Sequence, residues 1–206
     1  MLGALLLAFL FFSQGFAITY QEIKEAYHKS FIYEKAGDYK DAIKALMPVY
    51  KAYPNGYTVN LRLGWLYYLA KKYANSEFHY KKALQVIPSS VEAMLGLTLP
   101  YMAQGKWPET EGLCYRILRI DYYNYYGNLR LSYALRKQKK YSIAEAVARK
   151  MLTIYPSDVN FLTELALSLY HQGKTAYARS IFQDVLILDP ENAVAKEYLK
   201  KIEGKK

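Results

Sequence analysis

Prolines recur along this chain at 34 residues or twice that distance. They are Pro54, Pro88, Pro156 and Pro190, with Tyr122 at the place of the missing member. Two series of small residues keep the same period: Ser30, Gly64, Thr98, Ser132 and Ala166, then Ala42, Ser76, Thr110, Ala144 and Ala178. A period of this length, kept without an insertion, indicates an array of stacked repeats. The repeat frames are 23–56, 57–90, 91–124, 125–158 and 159–192.

Each frame predicts two short helices. In the second frame, both "YTVNLRLGWLYYLAKK" and "YANSEFHYKKALQVIP" carry apolar residues at helical spacing. The break between the helices holds Gly37, Gly105 or Gly173 in the odd frames, and Lys71 or Lys139 in the even frames. The proline that closes a frame ends the second helix. Small residues on both helices would let the pair approach closely.

This pattern resembles the tetratricopeptide repeat (TPR), whose motif combines large apolar, small and aromatic positions with a final proline. The resemblance covers residues 23–192 and is clear in the fifth frame, "LALSLYHQGKTAYARSIFQDVLILDPEN". It implies an all-α fold without strands, a right-handed α-solenoid of about five helix-turn-helix repeats within residues 18–206. Residues 193–203, "AVAKEYLKKIE", are expected to form an amphipathic capping helix. The motif's tryptophan is absent from the fourth position of every frame, which holds Ala26, Asn60, Met94, Asn128 or Leu162.

The first residues, "MLGALLLAFLFFSQGFA", predict a targeting segment. Residues 2–12 are apolar or glycine and are too few to span a bilayer comfortably. Gly15 and Ala17 supply the small residues that a signal peptidase requires, so we expect a cleaved signal peptide over residues 1–17. Because the segment has no Lys or Arg, an uncleaved membrane anchor over residues 1–18 and a buried first helix stay open. The signal peptide and the anchor both predict an exported protein, with the periplasm as the expected location.

The composition offers little support for catalysis or for a metal site. Cys114 is the single cysteine, so neither an intramolecular disulfide nor a cluster of thiolate ligands can form. His28, His79 and His171 are far apart and form no local ligand pair. No glycine-rich phosphate loop and no HExxH motif is present. We therefore predict a protein that is not an enzyme and uses no cofactor or metal.

The net charge of +10 favours anionic partners or, alternatively, a solubilising lysine-rich surface. The charge and the many aromatic residues would also suit single-stranded nucleic acid, but the export signal argues against that partner.

The TPR resemblance further implies that certain positions of each first helix face a ligand across the concave side of the array. The apolar members, here called the concave set, are Tyr27, Phe31, Leu61, Trp65, Tyr68, Leu95, Leu99, Met102, Tyr126, Leu129, Tyr133 and Tyr170. An exposed patch of this kind commonly marks a binding site, and the alternative is that these residues pack as core. Arg62, Arg130 and Arg136 are candidate contacts for an anionic group, unless they pair with acids on neighbouring helices.

Two functions fit this reading. The first is a protein–protein interaction scaffold of the cell envelope that binds an apolar or amphipathic segment of a protein or peptide in the concave groove. The second is binding of a polysaccharide or glycan strand by the aromatic faces. The first is favoured by analogy with the family. An envelope scaffold of this type could also sit at the membrane surface or be anchored by its N-terminus.

Overall fold

The computed structural model describes residues 18–204, which form eleven α-helices and no strand. The helices are α1 (Tyr20–Lys35), α2 (Tyr39–Ala52), α3 (Tyr57–Leu69), α4 (Tyr73–Val86), α5 (Val91–Ala103), α6 (Trp107–Ile120), α7 (Tyr125–Lys137), α8 (Tyr141–Leu152), α9 (Val159–His171), α10 (Thr175–Leu188) and α11 (Ala193–Ile202). The predicted all-α fold is confirmed. The predicted signal peptide lies outside the described residues.

Each helix packs against the next one along the chain, so the helices form successive antiparallel pairs followed by α11. First helices of adjacent repeats also touch, α3 with α5, α5 with α7 and α7 with α9, whereas the even-numbered helices have no contacts of comparable extent. First helices therefore form an inner layer and second helices an outer layer, as in a solenoid. The buried residues fall into four clusters along the array, which is the expected core of a repeat protein.

The two series of small residues meet where the paired helices cross. The Ser76 hydroxyl of α4 donates to the Gly64 carbonyl of α3 at 2.7 Å, and both residues are buried. In the fourth repeat the bond runs the other way, from the Ser132 hydroxyl of α7 to the Ala144 carbonyl of α8 at 3.2 Å. A Cβ atom on Gly64 would lie 2.9 Å from the Tyr80 ring, so a larger residue would separate the helices. The predicted close crossing is present in these two pairs.

The turn inside each repeat uses the left-handed backbone region. Gly37, Gly105 and Gly173 have φ of 77°, 69° and 76°, and Lys71 and Lys139 have φ of 57° and 61°. Glycine adopts this region without steric cost, whereas a residue with a Cβ is disfavoured there. The two lysines therefore keep the geometry of the glycine position that they replace.

A repeated polar contact joins one repeat to the next. Glu77 of α4 accepts hydrogen bonds from Gln104 and Lys106, which lie at the turn between α5 and α6. Glu111 holds Gln138 and Lys140 in the same way, each at 2.7 Å. In the next repeat the acceptor is Glu145 and the donors are Gln172 and Lys174. Burial raises the pKa of Glu145, but hydrogen bonds from Lys174, Arg149 and Gln172 outweigh it and lower that pKa to about 2.

The asparagines at the fourth position explain two departures from the family motif. The Asn60 amide donates to the carbonyls of Pro54 and Gly56 at 3.0 and 2.8 Å, which ties α3 to the turn before it. Asn128 donates to the carbonyls of Tyr122 and Asn124 at 3.0 and 2.9 Å. The turn thus keeps its form although Tyr122 replaces the proline. The tyrosine-rich stretch 122–126 is this turn and the start of α7.

His79 is a buried titratable group in the second repeat. It is 5% exposed, its Nδ1 lies 2.9 Å from Asn60 Oδ1, and its ring stacks on Tyr67 at a centroid distance of 5.1 Å. Tyr50 packs against the same ring edge-on. Burial, together with the nearby charge of Lys82, lowers the pKa of His79 from 6.5 to about 4.

This pKa predicts a loss of stability in mild acid. Between pH 6.5 and 4 the unfolded chain binds a proton at His79 that the folded chain does not. The stability that neutral His79 contributes is fully present above pH 6.5 and is lost as the pH falls. At pH 5 the free energy of unfolding should be lower by about 2 kcal/mol. Urea unfolding at pH 7.5, 6 and 5 should show this loss.

In His79→Gln the pH dependence should be smaller, whereas His28→Gln, at an exposed site on α1, should keep it. Parallel pH profiles for the wild type and His79→Gln would contradict this assignment.

Candidate functional site

The concave set lies on the inner layer, on α1, α3, α5, α7 and α9. Phe31 and Tyr126 are 49% and 56% exposed, and the other ten members are half-buried. None of the twelve is fully buried, so the surface they form is both apolar and accessible to solvent. The sequence left open whether these residues line an exposed groove or pack as core, and the answer differs between members of the set.

Five members of the concave set pack against buried clusters. Trp65 contacts two of the clusters, and its indole Nε1 donates to Glu34 Oε1 at 2.7 Å. Tyr170 lies at the C-terminal end, where its ring meets that of Tyr198 on α11 at 4.9 Å and 88°. The five members are Tyr27, Leu61, Trp65, Leu95 and Tyr170. These side chains support the fold as well as face the groove.

Five other members lie together on α5 and α7 and belong to none of the buried clusters. We call them the central strip: Leu99, Met102, Tyr126, Leu129 and Tyr133. The two helices are in direct contact, and the strip residues are spaced three, four or seven apart on each helix, which places them on one face. Tyr133 is held at its side by Trp107, with ring centroids 5.7 Å apart. The central strip is the part of the concave set with the least support from the core.

Two of the three candidate arginines are paired with acids. Arg62 forms a salt bridge with Glu34, and its guanidinium lies 3.9 Å above the Phe31 ring. Arg136 holds Glu164 through two bonds, from Nε at 2.8 Å and from Nη2 at 2.9 Å. Their charges are therefore neutralised within the chain, and a contact of either with a ligand anion stays a prediction.

Arg130 differs from the other two arginines. Its Nη1 donates to the Leu95 carbonyl and to Thr98 Oγ1, both at 2.6 Å, and its guanidinium lies 5.5 Å from the centre of the Tyr126 ring. It makes no salt bridge to any residue within 18–204. Burial lowers the pKa of Arg130, as expected for a cation without a nearby carboxylate.

Sequence reasoning did not identify Glu34 and Glu164 as partners of the arginines. A signal was available, because each acid is 28 residues from its arginine, Glu34 before Arg62 and Glu164 after Arg136. This spacing joins the twelfth position of one frame to the sixth position of the next. Opposite charges at these two positions are the pattern that predicts the pair.

The described residues show no other feature that points to chemistry. Burial raises the pKa of Cys114 to about 12, which makes its thiol a poor nucleophile. No group of three or more His, Cys, Asp or Glu residues within 18–204 is placed to hold a metal ion. None of the described helices has the length and apolar character needed to cross a membrane.

Two cavities lie away from the concave face. One of about 1030 Å³ opens at the N-terminal end of the array, between α1 and α2, where Ala45, Pro48 and Ala52 meet charges of both signs. The other, of about 560 Å³, lies on the outer layer between α6 and α8. The outer-layer cavity also gathers aromatic and cationic side chains, Tyr115, Tyr122, Arg119 and Lys150, but it lies outside the concave face.

Comparison with known proteins agrees with this architecture. The tetratricopeptide repeat family matches residues 32–91 and 129–193, which is more than half of the chain. The chain belongs to the tetratricopeptide repeat family. The array of helix pairs described above is the fold of this family. Such arrays generally mediate protein–protein interactions and are typically non-enzymatic.

Solved structures show the same fold for this TPR protein. A tetratricopeptide repeat protein from Parabacteroides merdae superimposes with a TM-score of 0.81 at 18% identity, over 90% of this chain and 75% of the other. A structure of MamA gives a TM-score of 0.74 at 18% identity, over 84% and 94% of the two chains. At this identity the likeness concerns the fold alone. No curated protein matches the chain.

The structure predicts different costs for two aromatic residues of the concave set. Trp65→Ala removes a half-buried ring that contacts two buried clusters and donates to Glu34, so it should lower the free energy of unfolding by about 3 kcal/mol. Tyr133→Ala should cost about 1 kcal/mol, mainly the contact with Trp107. Urea unfolding would measure both losses.

Tyr177→Ala is the control for this comparison, because Tyr177 is 71% exposed on α10 and should change stability little. A loss of 3 kcal/mol or more in both variants, as is usual for core residues, would place Tyr133 in the core and remove the central strip as a surface.

Proposed function

We propose that this TPR protein is an interaction scaffold of the cell envelope that binds an apolar or amphipathic segment of another protein in its concave groove. The observation that carries the proposal is the central strip. It is apolar, partly exposed and placed where two adjacent first helices meet. A monomeric surface gains little from such a strip unless a partner covers it.

The side chains of the strip suit a protein segment. Tyr126 and Tyr133 offer large, rigid rings with a polar edge, which bury much area for a small loss of entropy. Leu99, Met102 and Leu129 offer only apolar atoms, and these pair well with the apolar side of a helix or an extended segment. A glycan strand carries many hydroxyl groups and would leave them without partners on this part of the surface. The strip therefore favours a peptide over a polysaccharide.

Selection from a displayed library of random 12-residue peptides tests the binding function. Wild-type protein should enrich peptides with apolar residues at helical or alternating spacing, and a synthetic copy of one such peptide should bind in solution. Tyr126→Ala should weaken that binding at least about tenfold, because truncated hot-spot aromatics cost about 2 kcal/mol or more. Its own stability should change little, because the ring is 56% exposed.

The matched control is again Tyr177→Ala, an exposed tyrosine on the outer layer, which should bind like the wild type. Equal weakening by both variants would show binding outside the groove. Failure to enrich any peptide would overturn the proposal, and binding to oligosaccharides on a glycan array would then favour a polysaccharide ligand.

The location in the envelope rests on residues 1–17. If they form a cleaved signal peptide, the protein purified from its native host should begin at Ile18, and mass spectrometry of the intact chain would show this. Retention of Met1 in a carbonate-resistant membrane fraction would replace cleavage by an anchor. Recovery of the full chain from the cytoplasm would contradict the envelope location. The proposal that the groove binds a protein segment would still stand.

A further inference from the structure

A charge pair recurs on the inner layer at two of the four junctions between adjacent repeats. Between the first and second repeats Glu34 pairs with Arg62, and between the fourth and fifth Arg136 pairs with Glu164. Both pairs join the twelfth position of one frame to the sixth position of the next. At the junction of the second and third repeats both positions are uncharged. Between the third and fourth repeats the same two positions hold Met102 and Arg130. Arg130 thus occupies the place of a paired arginine, and a methionine stands where the acid would be.

The guanidinium of Arg130 is held in position without being neutralised. Within residues 18–204 its guanidinium bonds through Nη1, to the Leu95 carbonyl and Thr98 Oγ1. Nε and Nη2 bond to none of the residues within 18–204, and they are not among the buried donors that lack a partner, so they reach solvent. The edge formed by these two nitrogens is available to a ligand.

Arg136 shows what this edge can hold. There Nε and Nη2 bind the two carboxylate oxygens of Glu164 at 2.8 and 2.9 Å. Such bidentate pairing is stronger and more directional than a single neutral hydrogen bond. Because Arg130 is anchored through Nη1, little further ordering is needed when a carboxylate arrives.

The surroundings make this cation informative about the ligand. Arg130 is half-buried beside the apolar central strip, and its guanidinium lies 5.5 Å from the centre of the Tyr126 ring. A partly desolvated charge in apolar surroundings is costly unless it is paired. A fully apolar segment laid over the strip would desolvate the guanidinium further and leave it unpaired, whereas a segment with a carboxylate at that point would neutralise it.

We propose that the segment bound by the concave groove carries an internal Asp or Glu, flanked by apolar residues, whose carboxylate pairs with Nε and Nη2 of Arg130. This inference rests on the proposed function. An internal side chain is favoured over a chain terminus because Arg130 lies in the fourth of five repeats, and the concave set continues on both sides of it. The segment can therefore run past the arginine in both directions.

The peptide selection described above also tests this inference. Peptides displayed without a free C-terminus and enriched by the wild type should contain an acidic residue between apolar ones. A synthetic peptide with the selected Glu should bind about tenfold more tightly than its Gln counterpart, with both C-termini amidated. In Arg130→Gln this ratio should fall to about one.

Because Arg130→Gln could disturb the bonds to α5, Met102→Glu supplies an independent variant. It places an acid 28 residues before Arg130, where Glu34 stands before Arg62. The new carboxylate should occupy the arginine and again bring the Glu-to-Gln ratio to about one. Met102→Gln is the matched control and should keep the tenfold ratio, whatever its overall affinity.

The outcomes separate the two proposals. Peptides that bind through Tyr126 but show no acidic preference, or a ratio unchanged in Arg130→Gln and Met102→Glu, would overturn this inference and leave the scaffold function intact. Failure to enrich any peptide would overturn both. A preference that appears only with free C-terminal carboxylates would contradict the internal acid.

Discussion

The close crossing of the two helices in each repeat is the contact on which the rest of the structure depends. At this crossing the Ser76 hydroxyl donates to the Gly64 carbonyl, and the Ser132 hydroxyl donates to the Ala144 carbonyl. Larger side chains at the crossing would hold the two helices too far apart for these bonds. Close pairing buries the apolar faces between the helices and sets a fixed geometry for every repeat. Each repeat buries its remaining faces only against its neighbours. A residue that separated the two helices of one repeat would therefore also disturb the contacts with the adjacent repeats.

Polar contacts then set how one repeat sits on the next. The contact made by Glu77, Glu111 and Glu145 with the following turn recurs at three successive interfaces. At the first interface the equivalent of Glu77 is Ile43, and Arg62 with Glu34 supplies a polar link on the inner layer instead. The constant offset between repeats explains why residues 28 apart meet at more than one interface. The two positions are the twelfth of one frame and the sixth of the next. A charged residue at one of them forms a salt bridge only if the other holds the opposite charge.

Much of the fold could be predicted from the sequence because its causes are local and periodic. Helix faces, the small residues at the crossings and the turns at Gly105 or Lys139 each recur every 34 residues. The site was less predictable. Trp65 and Tyr133 occupy the same position of their frames, yet one packs on buried clusters and the other lies outside them, because neighbouring side chains differ between repeats. Arg62 and Arg136 each pair with an acid of a neighbouring repeat. The pattern of residues within a single frame does not describe such contacts.

The same comparison distinguishes the junction of the third and fourth repeats from the two ends of the array. At either end of the array the inner layer is closed by its own contacts, Arg62 with Glu34 at one end and Arg136 with Glu164, and Tyr170 with Tyr198, at the other. At the junction of α5 and α7 the same two positions hold Met102 and Arg130, so an apolar side chain stands where the acid would be. Arg130 makes no salt bridge to any residue within 18–204. A structural role alone would favour an acid at residue 102, since a paired cation costs less than an unpaired one. The absence of that acid is better explained by a partner that supplies the carboxylate itself.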